Sequence, residues 1–149
     1  MTTTERHTAP APSGKRWRIL FVDDEDIICE TYCALLLKLG YEVRSNISSV
    51  DALIKFKARP NDFDLVITDQ AMPHLTGLDL ASNLKKIRPD IRIILCTGYS
   101  ELITPQTAFD MGIDKILIKP VGIWQMREAV DSTLGRNHTH PNRVDVGES

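Results

Sequence analysis

A chain of 149 residues, 42% hydrophobic and 26% charged, carries enough apolar material for one packed domain. Its net charge of −2 supplies no basic face for nucleic acid, and no apolar run approaches the roughly 20 residues of a membrane-spanning helix. The N-terminus lacks a signal peptide's apolar core, and three cysteines complete no disulfide framework, so the expected setting is the cytoplasm with free thiols.

Residues 1–15, rich in Thr, Pro, Ala and Ser without an apolar period, read as a flexible N-terminal arm. A first strand is expected over 18–23. A helix follows over 26–39, with Ile28, Tyr32, Leu35, Leu36 and Leu39 inward and Gly40 ending it. The stretch 41–45 is a second strand, polar enough for a sheet edge. A helix over 50–57 stops at Arg59-Pro60, and 64–68 forms the third strand. A helix over 77–87 closes at Arg88-Pro89 before a fourth strand over 92–96. The fourth helix is short, with Thr104 as cap, Pro105 in the first position and Gly112 at the end. A fifth strand over 115–118 and a helix over 121–134 complete a domain spanning 16–134, and 135–149 reads as a flexible polar tail. This alternation predicts an α/β fold, a doubly wound parallel sheet of five strands covered on both faces.

Four residue sets lie at the expected carboxyl ends of strands: Asp23-Asp24, Asp69, Thr97 and Lys119-Pro120. Ligands of an open parallel sheet gather at that edge, so residues remote in sequence share one pocket there. A lone aspartate after a strand is an ordinary turn or cap residue. Adjacent carboxylates followed by Glu25 and Asp26 repel one another unless a cation compensates, and Mg2+ takes carboxylate oxygens while keeping water and phosphate ligands. A carboxylate can take up a phosphoryl group as a nucleophile, with a lysine and a hydroxyl beside it to pair with the phosphoryl oxygens. Lys119 and Thr97 supply both.

The runs Ile19-Leu20-Phe21-Val22-Asp23-Asp24-Glu25 and Asp64-Leu65-Val66-Ile67-Thr68-Asp69-Gln70-Ala71-Met72-Pro73, with Thr97-Gly98 and Lys119-Pro120, resemble the receiver domain of two-component response regulators. The resemblance covers 16–134. It implies a flavodoxin-like (βα)5 fold with strand order 2-1-3-4-5 and a cis bond between Lys119 and Pro120. Asp69 is then the phosphoacceptor. Asp23, Asp24, Asp69 and the backbone carbonyl of Ala71 hold Mg2+, while Thr97 and Lys119 contact the phosphoryl group. The implied donor is a phosphohistidine on a histidine kinase or histidine phosphotransfer protein, and the output is contact with an unknown downstream protein. The implied chemistry is limited to the domain's own phosphorylation and slow dephosphorylation, so it is not an enzyme in the usual sense. No nucleic acid or membrane partner is implied. The domain stands alone or comes from a hybrid sensor kinase.

Several residues depart from the family's pattern. Ile116 occupies the place of the usual Tyr or Phe three residues before the lysine, so an aromatic switch is lost and the readout is expected to pass through the stretch 98–104 and the fourth helix. Ala71 offers no side chain to orient a hydrolytic water and Tyr99 can cover the site, so a long-lived phosphoryl group is expected. On the first helix, Cys33 and Leu37, with Cys29 at the rim, are expected to form an outward strip for a partner's helices. The effector face is expected around Gln106, Phe109, Asp110, Lys115, Gln125 and Arg127. Two alternatives compete: a receiver-shaped scaffold that works without phosphorylation, and a phosphatase of the haloacid dehalogenase type. The latter needs metal-binding acids after the lysine, for which Asp131 lies in a helix pattern.

Overall fold

The computed structural model describes residues 16–98 and 103–135. Strand and helix alternate throughout, as β1 (Arg18–Val22), α1 (Asp26–Lys38), β2 (Glu42–Asn46), α2 (Ser49–Ala58), β3 (Leu65–Asp69) and α3 (Gly77–Ile87). β4 (Arg92–Thr97), α4 (Pro105–Asp110), β5 (Lys115–Ile118) and α5 (Ile123–Thr133) follow. All five strands are parallel, in the order β2-β1-β3-β4-β5. The expected arm over 1–15 lies outside the described residues, as do 99–102, including Tyr99, and the tail beyond Gly135.

Successive side chains of a strand point to opposite faces, so a sheet covered on both sides needs apolar residues at every position of its central strands. Every residue of β3 is buried. Leu20, Val22, Val66, Ile93 and Leu95 point toward α2, α3 and α4, where Phe56, Leu80 and Leu84 meet them. Ile19, Phe21, Leu65, Ile67 and Ile94 face α1 and α5, where Leu36, Met126 and Val130 cover them. β2 is an edge strand with mostly exposed residues, as its polarity predicts. Gly40 and Gly112 end their helices at positive φ, +99° and +78°, where glycine is unstrained.

Several element ends differ from the sequence reading. β3 extends to Asp69 and β4 to Thr97 because their ladders continue, Asp69 opposite Cys96 and Thr97 opposite Ile118. β1 ends at Val22, although the Asp23 amide still donates to the Asn46 carbonyl at 3.1 Å. β2 begins one residue later than expected, leaving Tyr41 buried with its hydroxyl bonded to Asp131. α5 starts at Ile123, since Gly122 is its N-cap and its N–H donates to the Gln125 side chain at 2.8 Å.

Candidate functional site

Parallel strands of matched register deliver their last residues to one edge, and here that edge is acidic. Asp23 follows β1, Asp69 ends β3 and Lys119 follows β5 across a cis peptide to Pro120. Lys119 Nζ lies 3.0 Å from Asp69 Oδ1 and 3.3 Å from Asp23 Oδ2. Asp23 and Asp69 are buried, while Asp24 is exposed. Asp23, Asp24 and Asp69 each offer a carboxylate oxygen within 4.8 Å of the others, a set able to hold a metal ion. Thr97 is buried at the end of β4, and its carbonyl accepts the Lys119 amide at 2.8 Å. Thr97, Ala71 and Asp24 line, with Asp69 and Lys119, an open cleft of about 650 Å³.

Two buried carboxylates share one ammonium, and the charges do not balance. Burial pushes the Asp69 carboxyl up; the Lys119 hydrogen bond pulls it back, and the charge of Asp23 adds to the rise. Burial alone would lower the Lys119 ammonium, but its bond to Asp69 and the Asp23 charge outweigh that and raise it to about 12. A lysine attracted by two acids stays protonated, while each acid receives only part of its charge. The surplus of negative charge, presented as oxygen ligands only, suits a hard divalent cation.

The supports are local. The Cys29 thiol donates to the Asp23 carbonyl at 3.2 Å, and Asp23 Oδ1 accepts the Glu25 amide at 2.9 Å. Behind Asp69, the Gly77 amide donates to the Gln70 carbonyl at 3.0 Å and the Leu78 amide to Gln70 Oε1 at 2.9 Å. Ser49 Oγ donates to the Pro73 carbonyl at 3.2 Å, tying this loop to α2. Gly77 permits the close approach of α3, because a Cβ there would stand 2.4 Å from the Asp69 carbonyl oxygen and 2.6 Å from Leu95 Cδ1. Sequence reasoning missed Cys29, Gln70, Ser49 and Gly77. Of these only the glycine gave a signal, and it reads equally as an ordinary helix start.

Some expected surfaces are not where the sequence put them. Cys29 is buried and Cys33 packs half-buried against the α1/α5 core, so no Cys33–Leu37 strip exists; Ile27 and Leu37 are the large exposed apolar residues of α1. Cys29, Cys33 and Leu36 recur at i, i+4 and i+7, so the inward face is turned toward them. Gln106, Phe109, Asp110, Lys115 and Gln125 are exposed around α4, β5 and α5, and Arg127 is half-buried. Ile118, Ile123 and Trp124 are exposed beside them, with the Arg127 guanidinium 5.6 Å from the Trp124 ring centroid. Asp131, the acid a dehalogenase-type phosphatase would need, bonds to Tyr41 and Arg127 instead of joining the acidic cluster. No described helix is long and apolar enough to cross a membrane.

The family model for the response regulator receiver domain matches residues 19–131, which take in all of these site residues. The chain belongs to that family. The receiver is 37% identical over 133 residues to the transcriptional regulator NtrC of Azospirillum brasilense, and 35% identical over 130 residues to a gliding motility regulatory protein of Myxococcus xanthus. These alignments cover 88% and 85% of the chain but only 27% and 16% of those longer proteins. A solved receiver domain protein from Clostridium thermocellum is 35% identical with a TM-score of 0.75, covering 80% of this receiver and 95% of that chain. The response regulator TrrA of Thermotoga maritima, solved in complex with Mg2+-BeF, is 33% identical with a TM-score of 0.70, over 78% and 98% of the two chains.

Proposed function

We propose that Asp69 accepts a phosphoryl group from a phosphohistidine donor and that this receiver signals its charge state by protein contact. The observation carrying this reading is the array at one sheet edge: Asp69 Oδ1 at 3.0 Å from Lys119 Nζ, with Asp23 and Asp24 oxygens within 4.8 Å. In the reaction an Asp69 oxygen attacks phosphorus, the phosphorus–nitrogen bond of the donor breaks, and an acyl phosphate forms. Lys119 then exchanges its carboxylate contact for one to a phosphoryl oxygen, and the Thr97 hydroxyl donates to another. Asp23, Asp24, Asp69 and the Ala71 carbonyl would hold Mg2+. When bound, it neutralises charge on the phosphoryl oxygens. Positioning and charge neutralisation carry most of such a transfer, and the strands deliver both.

The donor is a histidine kinase or a histidine phosphotransfer protein, and the output surface is the exposed face of α4, β5 and α5. The chain's only chemistry is its own phosphorylation and dephosphorylation, in the cytoplasm. The test is intact mass after incubation with acetyl phosphate and Mg2+, beside Asp69→Ala and a chelated sample. One added phosphoryl group in the wild type alone supports the reading. No gain with acetyl phosphate or with phosphohistidine donors sinks it in favour of a phosphorylation-independent scaffold.

A further inference from the structure

The site edge has a second, inner side. A cavity of about 360 Å³ lies between α1, α5 and the sheet, in the range of about 300–1,000 Å³ typical of small-molecule sites. Its walls are apolar, built from Phe21, Ile28, Ile67, Val121 and Met126, with Phe21 and Tyr32 stacked at 5.9 Å between ring centroids. Its polar end is the phosphoryl site seen from behind. Asp23 lines this cavity and not the outer cleft, Asp24 lines the cleft and not the cavity, and Asp69 and Lys119 line both.

The charge at that end selects a ligand. Asp23, Glu25 and Asp69 stand against the single ammonium of Lys119, which is already engaged by both Asp23 and Asp69. Among the described residues lining it, an anionic ligand would meet an excess of carboxylates and no uncommitted cation. The Tyr32 hydroxyl is committed to the Val121 carbonyl, so the apolar end offers little to a polar tail. An ammonium head with an aromatic or branched alkyl body satisfies both ends, the rings of Phe21 and Tyr32 adding attraction for a cation near their faces. Exposed Glu25 and Pro120 form the mouth.

We propose that this inner cavity binds small apolar amines, with the ammonium at Asp23 and Asp69 and the apolar body against Phe21, Ile67 and Met126. Occupancy places a positive charge where a divalent cation would be stabilised, so the amine and Mg2+ exclude each other. That consequence rests on the receiver reading of the acidic cluster, whereas binding itself does not.

The experiment titrates 2-phenylethylamine into metal-free full-length protein and follows the methyl resonances of Ile28, Ile67 and Met126. Phenylacetate and 2-phenylethanol serve as anionic and neutral probes of similar shape. Expected are saturable shifts at those methyls with the amine, at least tenfold weaker binding of the alcohol, none of the acid, and an apparent amine Kd that rises with Mg2+. Ile28→Trp, in the half-buried wall of the cavity, should abolish amine binding while leaving Mg2+ affinity within twofold. Asp23→Asn should bring amine and alcohol to similar affinity. Equal binding of the three probes, saturable shifts confined to other methyls, or no saturable shift overturns the proposal. A protein that takes up phosphoryl groups yet ignores the amine refutes the cavity and spares the receiver. Amine binding without any phosphoryl uptake does the reverse.

Discussion

Asp69, the last residue of β3, and Lys119, the residue after β5, lie 3.0 Å apart through their side chains, yet the two strands are held in opposite ways. All five residues of β3 are buried between two neighbouring strands and two helical layers. β5 is a four-residue edge strand in which no residue is fully buried, and its last residue, Ile118, is 45% exposed. The Asp69 carboxylate therefore ends a wholly buried central strand, and its ammonium partner follows a partly exposed edge strand. A charge added at Asp69 can shift Lys119, and with it β5 and its flanks, at little cost in core packing. That arrangement suits a domain whose chemistry must be fixed and whose surface must respond.

The sharpest way to break this contrast is to weaken each strand in turn. Ile67→Ala, beneath Asp69 and 1% exposed, should cost about 2–5 kcal/mol in urea unfolding. A loss as small as that of a surface truncation would show that β3 is not the more tightly packed member. Ligand linkage comes next. Mg2+ at 100 times its Kd should stabilise the wild type by about 2.7 kcal/mol, and Asp69→Asn by clearly less, read as thermal midpoints with and without chelator. Gly77→Ala forces a Cβ against the backbone of Asp69 and should cost about 1–3 kcal/mol, with phosphoryl uptake slowed in the folded fraction.

A smaller effect depends on pH. The native Asp69 carboxyl sits above its ordinary 3.8. The metal-free native state therefore holds that proton more tightly than the unfolded chain, a contribution present below pH 3.8 and lost as pH rises through the native value. Its ionisation is thus a cost at neutral pH. Metal-free Asp69→Asn should be the more stable protein at pH 7, with the gap closing in unfolding curves taken below pH 3.8. Smallest of all, Ile118→Ala on β5 should fall within about 0.5 kcal/mol of wild type. A larger loss there would place β5 among the core strands.

The same contrast explains what the sequence disclosed. β1 and β3 are unbroken apolar runs closed by aspartates, so the fold class, the strand order implied by the resemblance, and the gathering of Asp23, Asp24, Asp69 and Lys119 could be read directly. Strand ends were misplaced by one residue where the neighbour's register decides them, as with Asp69 opposite Cys96 and Thr97 opposite Ile118. On α1 the inward set Ile28, Tyr32, Leu35, Leu36 and Leu39 does pack against the core, and the misjudged positions are Cys29 and Cys33, which join that face instead of pointing outward. Cysteine behaves there as a small apolar residue: burial raises the Cys29 thiol to about 12, with the nearby Cys33 and Asp23 charges adding to it. The inner cavity had no sequence signature, since the space between helices depends on how side chains from β1, α1, β3, β4 and α5 happen to meet.

Trp124 gives the receiver a property separate from its chemistry. Its indole is 56% exposed near the start of α5, three residues beyond the carbonyl that Tyr32 grips, and it lies close to the Arg127 guanidinium. Indole emission shifts with nearby charge and with loss of water. The protein therefore carries an intrinsic optical reporter on the face proposed to meet its partners, and a docking event there can be followed by fluorescence without attaching a dye.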